Sequence, residues 1–419
     1  MKKAVSAIVL CTLFSLCVEI TANLNAQTTA RRDINLPSAV PAPPVPSQFV
    51  PVVPCRIMDT RFNPLPVGTT NIDVVGLART TCGYSLSAPT AYSLNLTLAP
   101  SGNPVDFATL WPQGAVQPAT STMNSLDGRT KANAAIVGAG VDGGVSLYLA
   151  GATDVIIDLN GYFTIPGQST LAFYPLVPCR VMDTRSTEPL TANSVTDILV
   201  MTNPCMQQVP GTVRPAAYSA NFTAVPVNLG DPLRYLSVWP TGSQPQTPVS
   251  TLNNLTGTNV ANAGIVEAGT TGNISVYVTD TTNLIVDING FFGVSLAHGA
   301  SYYSMQPCRV IDTRSDNPTD PFSGALTVDV ADSPCQPSAA ANAYVLNATV
   351  VPSPGFYFLS LYPNGLAERP LVSTLNAIDG MITSNMAIVP TLNGSIDAFA
   401  MGTTNMVLDL SGYFAPASN

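Results

Sequence analysis

Ala91-Tyr92-Ser93-Leu94-Asn95-Leu96-Thr97-Leu98 alternates, from Tyr92 onward, between apolar and polar residues. Tyr92, Leu94, Leu96 and Leu98 share one face, and Ser93, Asn95 and Thr97 share the other, which is the period of a half-buried β-strand. Val145, Leu147 and Leu149 alternate in the same way, whereas Asp154-Val155-Ile156-Ile157-Asp158-Leu159 is apolar on both faces and reads as a central strand. Turn signals such as Ser101-Gly102-Asn103-Pro104, Asp127-Gly128 and Asp142-Gly143-Gly144 separate these runs. No long stretch carries helical spacing. The fold class expected is therefore all-β.

This strand belongs to a unit written three times. Cys55-Arg56-Ile57-Met58-Asp59-Thr60-Arg61 returns as Cys179-Arg180-Val181-Met182-Asp183-Thr184-Arg185 and as Cys308-Arg309-Val310-Ile311-Asp312-Thr313-Arg314. Each copy continues with Tyr-x-x-Asn-x-Thr (Tyr92, Tyr218, Tyr344), an aromatic-Pro step (Trp111, Trp239, Tyr362) and Ser-Thr-x-Asn. A second Asn follows nine residues later (Asn124/Asn133, Asn253/Asn262, Asn376/Asn385), and an apolar run closes on Gly-aromatic-Phe. A period near 125 residues is the size of a domain, far longer than a solenoid repeat of about 20–50 residues. About eight short strands in roughly 110 residues point to a β-sandwich, Greek-key or jelly-roll in connection. The expected organisation is three tandem β-sandwich domains at residues 51–164, 172–293 and 301–416, strung like beads on short linkers at residues 164–171 and 293–300. A Pro-rich extended arm at residues 27–50 precedes them.

Met1-Lys2-Lys3 followed by an apolar run to Val18 reads as a signal peptide over residues 1–26, with a lipoprotein anchor on Cys17 as the competing reading. No later run is long and apolar enough for a membrane span. The six remaining cysteines fall two per copy, Cys55/Cys82, Cys179/Cys205 and Cys308/Cys335. Of the fifteen pairings six cysteines allow, one disulfide inside each repeat is the simplest, and export to an oxidising compartment permits it. Two thiols without a nearby histidine do not make a zinc tetrahedron.

The combination Pro-Cys-Arg-x-x-Asp-Thr-Arg, Ser-Thr-x-Asn and Asp-x-Asn-Gly-Tyr-Phe resembles β-rich repeat domains of secreted or surface-exposed bacterial proteins, mostly uncharacterised. It covers about residues 50–416, with Ser411 standing in the third copy where the others have Asn160 and Asn289. The resemblance implies export and modularity and carries over no catalytic residue.

Composition narrows the function. Only 10% of residues are charged, the net charge is −9, and there is one histidine, His298. An acidic chain repels phosphate backbones, which excludes a nucleic-acid binder, and imidazole catalysis has almost nothing to work with. The recurrent charges are Arg56, Asp59, Arg61 and Asp158, with counterparts Arg180, Asp183, Arg185 and Asp287, and Arg309, Asp312, Arg314 and Asp409. They read as structural ion pairs tying the first strand of each bead to its last, since a buried carboxylate must be paired. A glycosidase carboxylate pair is the weaker alternative, because adjacent arginines depress the pKa that a general acid needs raised. Calcium on Asp158, Asn160, Asn124 and Asn133 is the sole cofactor entertained. Trp111, Asn124, Asn133, Trp239, Asn253 and Asn262 are candidate sugar-binding residues, the indoles stacking on a ring. Asn95, Asn221 and Asn347 each begin an Asn-x-Thr sequon on a strand face expected to meet solvent.

The function expected is a non-enzymatic, extracellular or cell-surface structural or adhesive protein: a rod of three stapled sandwiches whose arm docks on the next subunit in a filament. The expected partners are further copies of itself or a surface polysaccharide. A tandem carbohydrate-binding array is the alternative, and a secreted glycoside hydrolase the less favoured third.

Overall fold

In the first repeat the alternating runs become strands β1 (Gln48–Asp59), β2 (Gly68–Ile72), β3 (Ala91–Ala99), β4 (Val105–Pro112), β5 (Met123–Ser125), β6 (Lys131–Gly138), β7 (Val145–Leu149) and β8 (Asp154–Thr164). They pair antiparallel as two sheets, β1-β8-β3-β6 and β2-β7-β4-β5. Leu94, Leu96 and Leu98 from the first sheet and Leu110, Leu147 and Leu149 from the second enclose one apolar core. The computed structural model describes residues 44–417 apart from 101, 210, 212, 246–247, 295–297 and 316–319. The signal-peptide reading and most of the Pro-rich arm lie outside these residues.

The second repeat repeats the pattern with β9 (Leu171–Asp183), β10 (Ser194–Ile198), β11 (Pro215–Pro226), β12 (Leu233–Pro240), β13 (Leu252–Asn254), β14 (Val260–Glu267), β15 (Ile274–Val278) and β16 (Thr282–Val294). Its sheets run β9-β16-β11-β14 and β10-β15-β12-β13. The third has β17 (Ala300–Asp312), β18 (Phe322–Asp329), β19 (Ala343–Pro352), β20 (Phe358–Pro363), β21 (Leu375–Asn376), β22 (Thr383–Pro390) and β23 (Ser395–Pro416). Here β23 runs unbroken through what are two strands in the other copies. Its first half pairs β18 and β20, and its second half pairs β17 and β19.

Disulfides join Cys55 to Cys82, Cys179 to Cys205 and Cys308 to Cys335. Cys82 ends a short helix, α1 (Val74–Cys82), that periodicity does not reveal. Its sequence is rich in β-branched residues, which disfavour helix. Local bonds hold it nonetheless: Asp73 caps Gly76 N–H, the Thr80 and Thr81 hydroxyls bond back to Gly76 and Leu77 carbonyls, and Gly83 closes the helix in the left-handed conformation.

The beads-on-a-string expectation is not what the structure contains. Residues 44–419 form one compact unit, and the supposed linkers join strands that meet at a common centre. A fourth apolar core belongs to no single repeat. Phe49 and Phe163 from the first copy, Phe173 and Phe292 from the second, and Tyr302 and Phe414 from the third are all buried in it. Their ring centroids lie 4.3–6.3 Å apart, within the range of favourable edge and offset contacts. The last residue of every Gly-aromatic-Phe motif points here. The glycine of that motif is required by proximity, because a methyl group on Gly161, Gly290 or Gly412 would overlap the ring of Phe49, Phe173 or Tyr302. The described end of the Pro-rich segment joins the same centre: Ser47 bridges Tyr302, and Phe49 pairs with Leu171. That end is strand, not free arm.

Candidate functional site

The recurrent polar residues gather at the three junctions between repeats. On β3 the apolar face packs into the sandwich core as expected, with the Tyr92 hydroxyl donating to Gly143 O at 2.6 Å. The polar face does not meet solvent, however. Ser93, Asn95 and Thr97 are all buried, because this face of the first repeat covers the second. The expectation of solvent-facing sequons at Asn95, Asn221 and Asn347 is therefore corrected: their amides sit inside the junctions.

At the first junction Asn262 Nδ2 donates to Asn95 Oδ1 at 2.8 Å and to Thr251 O at 2.6 Å, while its Oδ1 accepts from Ala134 N–H at 2.9 Å. Asn95 Nδ2 in turn donates to Ser250 O at 2.5 Å. At the second junction Asn385 makes the same bonds to Asn221 and Thr374 O, accepts from Ala263 N–H, and Asn221 donates to Ser373 O. At the third, Asn133 donates to Asn347 and Thr122 O and accepts from Met386 N–H, while Asn347 donates to Ser121 O. Repeat one thus holds repeat two, two holds three, and three holds one. The ring closes.

The charged residues reinforce it. Arg56 Nε donates to Asp158 Oδ1 at 2.9 Å and its Nη2 to Oδ2 at 3.3 Å, joining β1 to β8. Arg180 holds Asp287 and Arg309 holds Asp409 in the same forked geometry. Asp158 also accepts from Ser250 N–H of the second repeat at 3.1 Å, and Asp287 and Asp409 receive backbone hydrogen bonds from Ser373 and Ser121. Burial pushes the carboxyls of Asp158, Asp287 and Asp409 up, against the pull of their arginines. Asp59, Asp183 and Asp312 go the other way, held below the usual range chiefly by side-chain hydrogen bonds from Arg61, Arg185 and Arg314. A bulge between Arg56 and Met58 lets one guanidinium serve both carboxylates, with Arg56 Nη1 3.5 Å from Asp59.

The remaining candidates do not converge on a ligand site. Trp111 is 3% exposed and its indole N–H is bonded to Ala115 O, and Trp239 is 6% exposed. Neither offers an open face for stacking. Asn124 and Asn253 donate to the carbonyls of Asp106 and Arg234 at strand edges. Asn133 is committed to the third repeat and Asp158 to the second, so the proposed calcium donors serve different junctions. Among the described residues no group of three or more His, Cys, Asp or Glu side chains could hold a metal. Asp158 is 1% exposed, which leaves no approach for a glycoside to the suggested carboxylate pair.

No known protein family and no curated protein matches the chain. Among solved structures, a chain of the naturally occurring empty particles of cowpea mosaic virus aligns at 9% identity over 59% of this chain and 90% of that one, with a TM-score of 0.16, and it carries no argument.

Proposed function

We propose that this chain is a non-enzymatic extracellular structural or adhesive protein whose three repeats act as one closed body instead of a rod. One observation carries the reading: the recurrent carboxylates, guanidiniums and amides, the groups a catalytic centre would draw on, are committed elsewhere, the ion pairs within each repeat and the amides and buried carboxylates to amide and backbone groups across the junctions. The strand orders β1-β8-β3-β6 and β2-β7-β4-β5, repeated in the second copy, fit eight-stranded jelly rolls. Head-to-tail contacts between unlike surfaces form rings when the rotation closes, so the arrangement is that of a cyclic trimer written in one polypeptide. Three disulfides suit an oxidising compartment. The structure has no helix long and apolar enough to cross a membrane among its described residues.

The test joins localisation, imaging and activity. Native protein should fractionate with the medium or the cell surface and appear in negative stain as compact particles, singly or in assemblies. A version lacking residues 27–43 should keep the particles and lose any assemblies. Turnover of a glycoside or ester by the intact protein would sink the non-enzymatic reading. Filaments that persist without those residues would remove the arm from assembly.

A further inference from the structure

The junction between the second and third repeats differs from the other two. Equivalent crevices beside the Asn clusters are small at all three, about 10, 30 and 40 Å³. The second-to-third junction alone among those described also opens into a groove of about 280 Å³. The reason lies in one loop. At the third-to-first junction Arg309 Nη2 donates to Ala119 O at 3.2 Å and Gln306 donates to Val116 O at 2.6 Å, drawing the loop down. The counterpart of Ala119 in the third repeat is Leu371, two residues before the Ser-Thr step in both. Arg180, the counterpart of Arg309, bonds to Asp287 and Asp183 and does not reach Leu371. The loop therefore stands off, and Leu371 is 79% exposed.

The groove's chemistry is unlike the rest of this acidic molecule. Arg180, Arg185 and Arg369 line it. The first two are paired with Asp287 and Asp183. Arg369 has no carboxylate within ion-pair distance among the described residues. Its guanidinium lies 4.1 Å from the Phe399 ring centroid, and its closest hydrogen bond is a long one to Pro370 O, 3.4 Å. That contact holds the guanidinium over the ring without satisfying its five N–H donors. Around it the walls present the half-exposed apolar surfaces of Tyr357 and Met401 together with the amide of Asn376. Repeat one has Gln117 at the position of Arg369, so the charge is particular to this junction.

We propose that this groove binds a carboxylate-bearing sugar, a hexuronate residue of an acidic surface polysaccharide, with its carboxylate on Arg369. A guanidinium fork matches a carboxylate in charge and geometry. The apolar walls suit the C–H face of a pyranose, and the neutral amide of Asn376 suits its hydroxyls. The chain's net charge of −9 disfavours a long, dense polyanion. Short or widely spaced uronates are the ligands that the groove selects, since screening within about 8 Å at physiological salt hides the rest of the surface.

This inference rests on the adhesive reading and names what is adhered to. The probe is digalacturonate, titrated by calorimetry into the full chain, with its methyl ester as the uncharged analogue of the same shape. The acid should bind, the ester should bind at least tenfold more weakly, and Arg369→Gln should weaken the acid at least tenfold with an unchanged melting curve. No binding of the acid, equal binding of the ester, or an Arg369→Gln protein that binds normally would each overturn the groove. Co-sedimentation of the same preparations with the producing cells separates the two readings. Sedimentation without digalacturonate binding sinks the groove and spares adhesion, whereas absence of sedimentation sinks adhesion itself.

Discussion

Asn262 is wholly buried and makes three hydrogen bonds through its carboxamide, two as donor and one as acceptor. Truncation to alanine would strand Ala134 N–H and Asn95 Oδ1 in the interior, and each orphaned buried group costs roughly 1–3 kcal/mol. Asn262→Ala should therefore lower unfolding stability by on the order of 3 kcal/mol in urea titrations, against less than about 1 kcal/mol for Asn124→Ala at its strand edge. Equal effects would mean that the junction amides carry no special load. Asp59 makes a different prediction, through pH. Its carboxyl is held below the ordinary 3.8 by Arg61, so the folded state binds fewer protons than the unfolded one. The stability it contributes is present above pH 3.8 and lost as pH falls through the lowered value. Melting curves of wild type and Asp59→Asn should differ by about 1 kcal/mol or less at pH 6 and converge as pH falls through that lowered value. A difference that widens on acidification would reverse the assignment. The raised carboxyls of Asp158, Asp287 and Asp409 act with the opposite sign, gaining protons in the folded state first.

At the scale of the strand pair, β3–β6 and β11–β14 each hide a flaw that β19–β22 lacks. Thr97 lies opposite Ala132, Thr223 opposite Ala261, and Thr349 opposite Ser384. In the third repeat the two hydroxyls bond at 2.8 Å, whereas the hydroxyls of Thr97 and Thr223 are buried without a partner. Ala132→Ser should supply one and raise stability by about 1 kcal/mol, the net worth of a hydrogen bond that relieves a buried orphan. An unchanged or lower denaturation midpoint would show that the serine cannot reach. The helix α1 belongs to this scale as well. Its stabilising features are a cap, back-bonded threonines, a terminal glycine and a disulfide to β1, all local to its ends, so a reading based on apolar spacing passes over it.

At the scale of the molecule, the six central rings and the three Asn clusters make each repeat depend on the other two. Independent beads would melt as separate transitions. The shared core predicts a single calorimetric transition with matching van't Hoff and calorimetric enthalpies over residues 44–419. Resolved transitions, one per repeat, would show the junctions to be weak. The closed ring also leaves each repeat with a different neighbouring loop, and that is how one junction comes to carry an open groove while its counterpart is sealed by Arg309 and Gln306.

The order of residues along the chain settled the strands, the threefold repetition and the grouping of two cysteines per repeat, because a period of two and a fixed spacing are local properties of the backbone. It also marked the residues that matter most, Asn95, Asn262, Asp158 and their copies, without saying what they face. A polar strand face looks the same in sequence whether it meets water or the amide of a neighbouring repeat. Only the closure of three copies on one another decided that, burying the polar faces together and turning Phe163, Phe292 and Phe414 toward one centre. The sequence held one faint sign of it: an amide kept at the same spacing in every copy has a partner that is also kept, and the nearest such partner is another copy.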